Sequence, residues 1–239
     1  MPHVSLELNL GRYVVKVATE LEEVHLAYKL RYRSFFGRLP SAVAGGLDYN
    51  EYDVGADHLI VKEGSEVVGT YRLRCSKFVG TYFSGSEFEI ENFLGLGGVY
   101  LELSRACIDP SKRQGAVIMC LWRGLRLYLD LVGANYLFGC SSVYTSDPVR
   151  ASQLQTYLQE TGYFADGYGI RPRGDFVMDG YQRGAKGEVA DILSPLLLNY
   201  MRMGAKVYGD PAHDTQMECM DYFTVMDTAE LRGRYATLD

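Results

Sequence analysis

The stretch Val99–Trp122 limits what this chain can fold into more than any other. Val99, Leu101, Leu103 and Cys107 are apolar and interleave with Glu102, Ser104 and Asp109, so the first half reads as a β-strand. Asp109 suits a helix N-cap and Pro110 the first helical position. Val117, Leu121, Leu125, Tyr128 and Val132 then follow at helical spacing. A carboxylate (Glu102) and a guanidinium (Arg105) thus stand on a strand that runs into a helix start. Such a start offers unpaired N–H groups and partial positive charge. A junction of this kind can hold an acyl donor beside a base.

With 239 residues the chain can bury a sizeable core. Its 47% hydrophobic and 23% charged residues are those of an ordinary globular protein, not a disordered one. A net charge of −6 argues against general nucleic-acid binding. No secretory signal is visible, and no run approaches the roughly 20 apolar residues of a membrane span. Five scattered cysteines without a C-x-x-C pair point to neither a zinc site nor a disulfide framework, so no metal is expected. They read as reduced thiols of a cytoplasmic protein, Cys140 included.

In chain order, Arg12–Ala18 reads as a strand. Thr19, with Glu22 in the capping-box position, opens a helix to about Phe36 that sets Arg31 and Phe35 four apart on one face. Residues 37 to 56 are loop-like and carry the acids Asp48, Glu51 and Asp53, with Asp57-His58 just after them. A bland acidic loop looks like this, as does a receiver for a cationic amine. Asp57–Lys62 and Glu66–Arg74 form a hairpin about Glu63-Gly64-Ser65, with Arg72 and Arg74 sharing a strand face. A Gly- and Ser-rich loop with Phe83, Phe88 and Phe93 is either a lid or a hydrophobic wall. Ala134–Cys140 reads as a strand, Asp147-Pro148 starts a helix to about Glu160, and residues 190 to 203 are apolar, broken or restarted at Ser194-Pro195. Ala205–Tyr208 and Glu218–Met226 are the closing strands, with His213 in a turn between them. The pattern is that of a single α/β (α+β) domain over residues 1–239, with a surface excursion at about 162–204.

Leu101-Glu-Leu-Ser-Arg-Ala-Cys-Ile-Asp-Pro-Ser-Lys-Arg113, Leu121-Trp122-Arg-Gly and Leu137-Phe-Gly-Cys-Ser141 together resemble the N-acyl amino acid synthases. Among these are the ornithine-lipid acyltransferases of the GNAT superfamily. Arg31-Tyr-Arg-Ser-Phe35, Asp53-Val-Gly-Ala-Asp-His58, Gly69-Thr-Tyr-Arg72, residues 200–214 and Asp221-Tyr-Phe-Thr-Val-Met-Asp227 are similar to the same family, in the same order. The resemblance implies a GNAT-like domain, with a central, mixed, mostly antiparallel sheet flanked by helices. It also implies amide formation between a (3-hydroxy)fatty acyl group and the α-amine of an amino acid, ornithine foremost. The same fragments look like the acyl-homoserine-lactone synthases, but there the paired acids stand three apart, whereas Asp53 and Asp57 stand four apart. Arg113-Gln-Gly-Ala-Val-Ile118 is a poor version of the superfamily's pyrophosphate cradle, which fits a donor on the 4'-phosphopantetheine of acyl carrier protein better than coenzyme A. No bound cofactor is implied.

On this resemblance Glu102 is the expected base, with Arg105 beside it as a catalytic residue. Ser104, Ala106 and Cys107, with Arg105 among them, are expected to offer backbone N–H groups to the thioester carbonyl and pantetheine, while Ser141 and Tyr157 are weaker candidates for placing the leaving thiol. Arg31, Phe35, Asp53, Asp57 and Arg72 are expected to recognise the amino acid. Phe83, Phe88, Phe93 and Trp122 are candidates to line an acyl tunnel, although ordinary core accounts for them as well. Lys112, Arg113, Arg123 and Arg126 could dock an acidic carrier protein. Glu102 and Arg105, three apart, would face opposite ways on a regular strand, so a bulge is expected if they act together. The rivals are a lactone synthase, a coenzyme A-dependent amine acyltransferase, and a catalytically silent lipid- or carrier-binding module. Peripheral contact with a membrane stays open.

Overall fold

A computed structural model describes residues 2–37, 43, 45–112 and 115–230. In chain order its elements are β1 (Glu7–Leu10), β2 (Tyr13–Val17), α1 (Leu21–Phe35), β3 (Asp57–Glu63), β4 (Glu66–Cys75), α2 (Ser84–Glu87), α3 (Glu91–Leu94) and β5 (Tyr100–Ile108). There follow α4 (Ala116–Val132), β6 (Tyr136–Val143), α5 (Pro148–Glu160), β7 (Phe164–Ala165), α6 (Pro195–Arg202), β8 (Lys206–Tyr208), β9 (Ala212–Asp214) and β10 (Cys219–Asp227). The fold is mixed α/β with mostly antiparallel pairing, as expected. The elements gather into two compact units, Met1–Thr81 with Leu101–Ala134, and Tyr82–Tyr100 with Asn135–Asp239. Among the described residues no helix is long and apolar enough to cross a membrane.

In the first unit β1, β2, β3, β4 and β5 pair antiparallel in that order. Strand alternation gives this sheet two faces. On one, α1 packs its Ala27 and Leu30 over Ala18, Ile60, Val67 and Cys107. On the other, α4 comes so near that only glycine fits at two contacts. A Cβ on Gly69 would lie 2.7 Å from Val117 Cγ1, and one on Gly124 would lie 2.5 Å from Val15 Cγ1.

In the second unit β10 pairs antiparallel with β6, β8 and β9, and β7 runs parallel to β8. Phe93 lies at its centre, with Tyr100, Tyr136, Phe138, Tyr168 and Phe223 all at 5.1–5.6 Å between ring centroids. Asp147 caps α5 through the Val149 N–H, and Ser194 caps α6 through that of Leu197, as the sequence predicts. The apolar side chains of the 190–203 stretch are buried or half-buried, apart from Ala190 and Pro195.

Some boundaries differ from expectation. Asp109 and Pro110 do not open the long helix. Asp109 Oδ1 accepts the Ser111 N–H and Oγ–H and closes a 3-10 turn over Pro110–Lys112. The helix starts at Ala116, after Gly115 at φ +90°, a conformation that cannot continue a helix from the turn. The capping box of α1 pairs Glu20 with Glu23, not Thr19 with Glu22. Strands β1 and β9, too short to show a period, were not expected.

Candidate active site

The site grows from the face of the first sheet that α1 covers. Arg31 sits on α1, one turn before Phe35. Its guanidinium is fully buried and donates from Nε to Asp48 Oδ2 (2.7 Å), from Nη1 to Asp53 Oδ1 (2.6 Å) and from Nη2 to Asp53 Oδ2 (3.2 Å). The two acids reach it from a loop held by its own local bonds. Asn50 Oδ1 accepts the Tyr52 N–H, and Asp53 Oδ2 accepts the Asn50 N–H. Arg74 secures that loop from β4 by donating to the Val54 carbonyl at 2.8 Å, while its Nε donates to the Thr81 carbonyl.

Arg72, also fully buried, lies on the same face as Arg74. It donates from Nε to Ser104 Oγ (2.9 Å) and from Nη1 to Asn50 Oδ1 (2.8 Å), and Nη1 lies 3.4 Å from Asp53 Oδ2. Glu102 stands opposite Arg74 in the β4–β5 register and is fully buried on this face. Thr70 pairs with Cys107 and Arg72 with Ser104, so one residue of β4 opposes two of β5, Arg105 and Ala106. This is a β-bulge, and Arg105 within it has φ +53°. The bulge brings Arg105 into the cluster, its Nε 3.1 Å from Asp48 Oδ2 and its guanidinium 5.7 Å over the Phe35 ring. The bulge expected from the sequence is thus present where Arg105 needs it.

Three guanidiniums therefore meet two aspartates, and the charge of Glu102 also bears on Arg72. Burial opposes charge on Asp53, yet Arg31 and Arg72 outweigh it and hold its carboxyl below the usual range. Burial lowers the Arg72 guanidinium to about 10, with Asp53 opposing and Arg105 and Arg31 assisting, and Arg72 remains cationic at neutral pH. A cluster with this balance can bind a molecule that bears both a carboxylate and an ammonium. It does not by itself add stability, because the desolvation of buried ions offsets their attraction.

The remaining expected residues are placed as follows. Asp57 is buried, but on the α4 face. It accepts the His3 N–H (2.8 Å), the Val4 N–H (3.1 Å) and the Tyr128 hydroxyl (3.0 Å), and its neighbour His58 is the residue on the cluster face. Ala106 is half-buried in the bulge, and Cys107 joins the core under α1. In the second unit, Ser141 accepts from Thr224 Oγ1 at 3.0 Å. There too, Phe88 and Phe93 are fully buried and Phe83 is half-buried. Trp122 is half-buried on α4. Lys112 pairs with Glu63 at 2.6 Å, Arg126 with Asp130 at 3.1 Å, and Arg123 is exposed. Arg113 lies outside the described residues.

The sequence offers Asp48 only as one acid of a dense loop and His58 only as the neighbour of Asp57, and it marks neither Asn50 nor Tyr28. Asp214, Cys219 and Asp221 of the second unit bring three donor atoms within 4.8 Å of one another. Asp214 already accepts two turn N–H groups there, and Asp221 accepts the Ser142 hydroxyl.

Residues 30–123 match the acetyltransferase (GNAT) domain family. Over 95% of this chain and 84% of the relative, the sequence is 28% identical to an L-ornithine N(alpha)-acyltransferase of Rhizobium meliloti (strain 1021). It is 26% identical to the enzyme of that name from Rhodobacter capsulatus, over 93% of each chain. The fold is similar to that of FeeM, an N-acyl amino acid synthase from uncultured soil microbes, with a TM-score of 0.57 at 10% identity, covering 95% of this chain and 99% of that one.

Proposed function

We propose that this acyltransferase of GNAT fold joins a fatty acyl group, carried as a thioester on the 4'-phosphopantetheine of an acyl carrier protein, to the α-amine of a small amino acid, with ornithine foremost. The observation that carries the reading is the cluster of buried Arg31, Asp48, Asp53 and Arg72 with half-buried Arg105, on the same sheet face as Glu102. A zwitterion needs both signs of charge in fixed positions. Arg72 and Arg105 suit its carboxylate, and Asp48 and Asp53 suit an ammonium.

The α-ammonium gives a proton to Glu102, directly or through water, and the freed amine attacks the thioester carbonyl. The tetrahedral intermediate collapses, the C–S bond breaks, and the leaving thiolate takes up the second proton, which the attacking nitrogen gives up as the amide forms. Glu102 is fully buried on the cluster face, where a carboxylate can accept a proton from the ammonium. Bulges interrupt ladder bonding, so N–H groups of residues 104–107 are candidates for oxyanion donors. Such an enzyme works in the cytoplasm, and liposome flotation tests whether it touches a membrane to release product.

The test is mass spectrometry of products from the purified protein, given a 3-hydroxyacyl carrier protein, the matching acyl-coenzyme A and a mixture of amino acids. One N-acyl amino acid, made from the carrier donor and reduced about 100-fold or more by Glu102→Gln, is expected. Product from coenzyme A alone rejects the carrier protein. No product with retained carrier binding favours the silent module.

A further inference from the structure

His58 is 4% exposed and lies opposite Arg72 in the β3–β4 register, on the cluster face. Its Nε2 is 3.4 Å from the Tyr28 hydroxyl oxygen and 3.9 Å from Asp53 Oδ1. Its Nδ1 is buried and meets no hydrogen-bond partner. The imidazole stands edge-on to the Tyr28 ring, 5.3 Å between centroids and 85° between planes.

Tyr28 is the centre of these contacts. The Arg31 guanidinium lies 5.0 Å over its ring. Its backbone carbonyl accepts the Asp48 N–H at 3.3 Å. Its ring also packs 5.5 Å from that of Tyr49, the exposed residue between Asp48 and Asn50. One aromatic residue thus supports both a cation of the cluster and the loop that brings the acids. His58 is the side chain that holds its hydroxyl end.

We propose that His58 is a positioning residue for the amino acid site: with its proton on Nε2, it donates to the Tyr28 hydroxyl beside Asp53 and so sets how Arg31 and Asp48 are presented. The inference rests on the function proposed above. The proton belongs on Nε2 because that nitrogen faces a carboxylate, which only accepts, and a phenol oxygen, which can accept. The opposite tautomer would bury an N–H with no acceptor. The groups around the ring are Tyr28 and Arg31 from α1, Asp53 from the loop and Arg72 from β4. Burial, opposed by Asp53 but aided by Arg31 and Arg72, brings the imidazole down to about 4. A charged histidine would add a further cation beside two guanidiniums. A neutral donor holds the Tyr28 hydroxyl without doing so.

Glutamine can place an amide N–H where Nε2 lies, whereas asparagine is too short to do so. The experiment measures KM for the amino acid and kcat in His58→Gln and His58→Asn, with melting temperatures. It adds nitrogen NMR of the labelled histidine rings in the wild-type protein at pH 6, with the His58 signal assigned by its loss in His58→Gln. We expect a neutral Nε2–H ring, a KM raised about tenfold or more in His58→Asn with kcat within about threefold, and recovery in His58→Gln. A ring charged at pH 6, a proton on Nδ1, or equal kinetics for the two variants overturns the assignment. If the wild-type protein acylates no amino acid, the proposed function fails, and the NMR still decides the state of His58.

Discussion

Arg31 and Asp53 share two hydrogen bonds, from Nη1 to Oδ1 at 2.6 Å and from Nη2 to Oδ2 at 3.2 Å, with both side chains shut off from solvent. Such a pair adds little net stability, but losing one half of it is costly. Asp53→Asn leaves Arg31 and Arg72 short of a shared counter-charge. It should lower unfolding stability by about 3–5 kcal/mol in urea titrations. The double variant Asp53→Asn/Arg31→Met should lose less than the sum of the two single variants.

Acid should weaken the fold in two steps. The His58 imidazole is lowered from an unfolded value of about 6.5 to about 4, so the unfolded chain binds the extra proton first. Stability is therefore complete above pH ~6.5 and falls as pH drops toward about 4. His58→Gln should flatten the melting temperature across that window.

A second loss belongs to Glu23. Burial raises its carboxyl, but the Lys62 ammonium, the Thr19 N–H and Lys16 outweigh this and bring it to about 2. The stability it contributes is present above an unfolded pKa of about 4.3 and is lost as pH falls toward about 2. Glu23→Gln should shrink this lower step, to which Asp53 also contributes, and leave the upper one, as read by circular dichroism against pH.

Arg105 pays for its place with a left-handed backbone, a strain of about 1–3 kcal/mol for a residue with a Cβ. Asparagine tolerates that conformation better. Arg105→Asn should keep or raise the melting temperature while cutting kcat/KM for the amino acid at least about tenfold. A fall in both would place the cost in packing instead.

Gly69→Ala should cost about 1–3 kcal/mol, because the new Cβ would meet Val117 Cγ1 at 2.7 Å and Leu121 Cδ1 at 3.2 Å. Pairing it with Val117→Ala should recover part of the loss in denaturant titrations.

Much of the scaffold is legible in the chain. Alternation and the Glu63-Gly64-Ser65 turn locate the hairpin of β3 and β4 to within a residue. Asp147-Pro148 and Ser194-Pro195 announce α5 and α6, because caps act over a single turn. The same local logic fails at Asp109-Pro110. A 3-10 turn meets those side-chain preferences as well as a helix does, and Gly115 then decides where α4 begins.

The site divides in the same way. Arg31, Asp53, Arg72 and Arg105 do meet, and the order of family-like fragments had marked them. Asp57 was chosen as Asp53's partner, yet period-two alternation turns it to the α4 face and brings His58 to the cluster. Asp48 and Asn50 take their roles from turn geometry and from an arginine on another element, neither of which has a period to read.

Asp57 has one more effect. Its carboxylate clasps the amides of His3 and Val4, more than fifty residues earlier in the chain. Without those two amides a buried anion would hold only the Tyr128 hydroxyl, so the carboxylate of a strand in the sheet depends on a segment far from it in sequence.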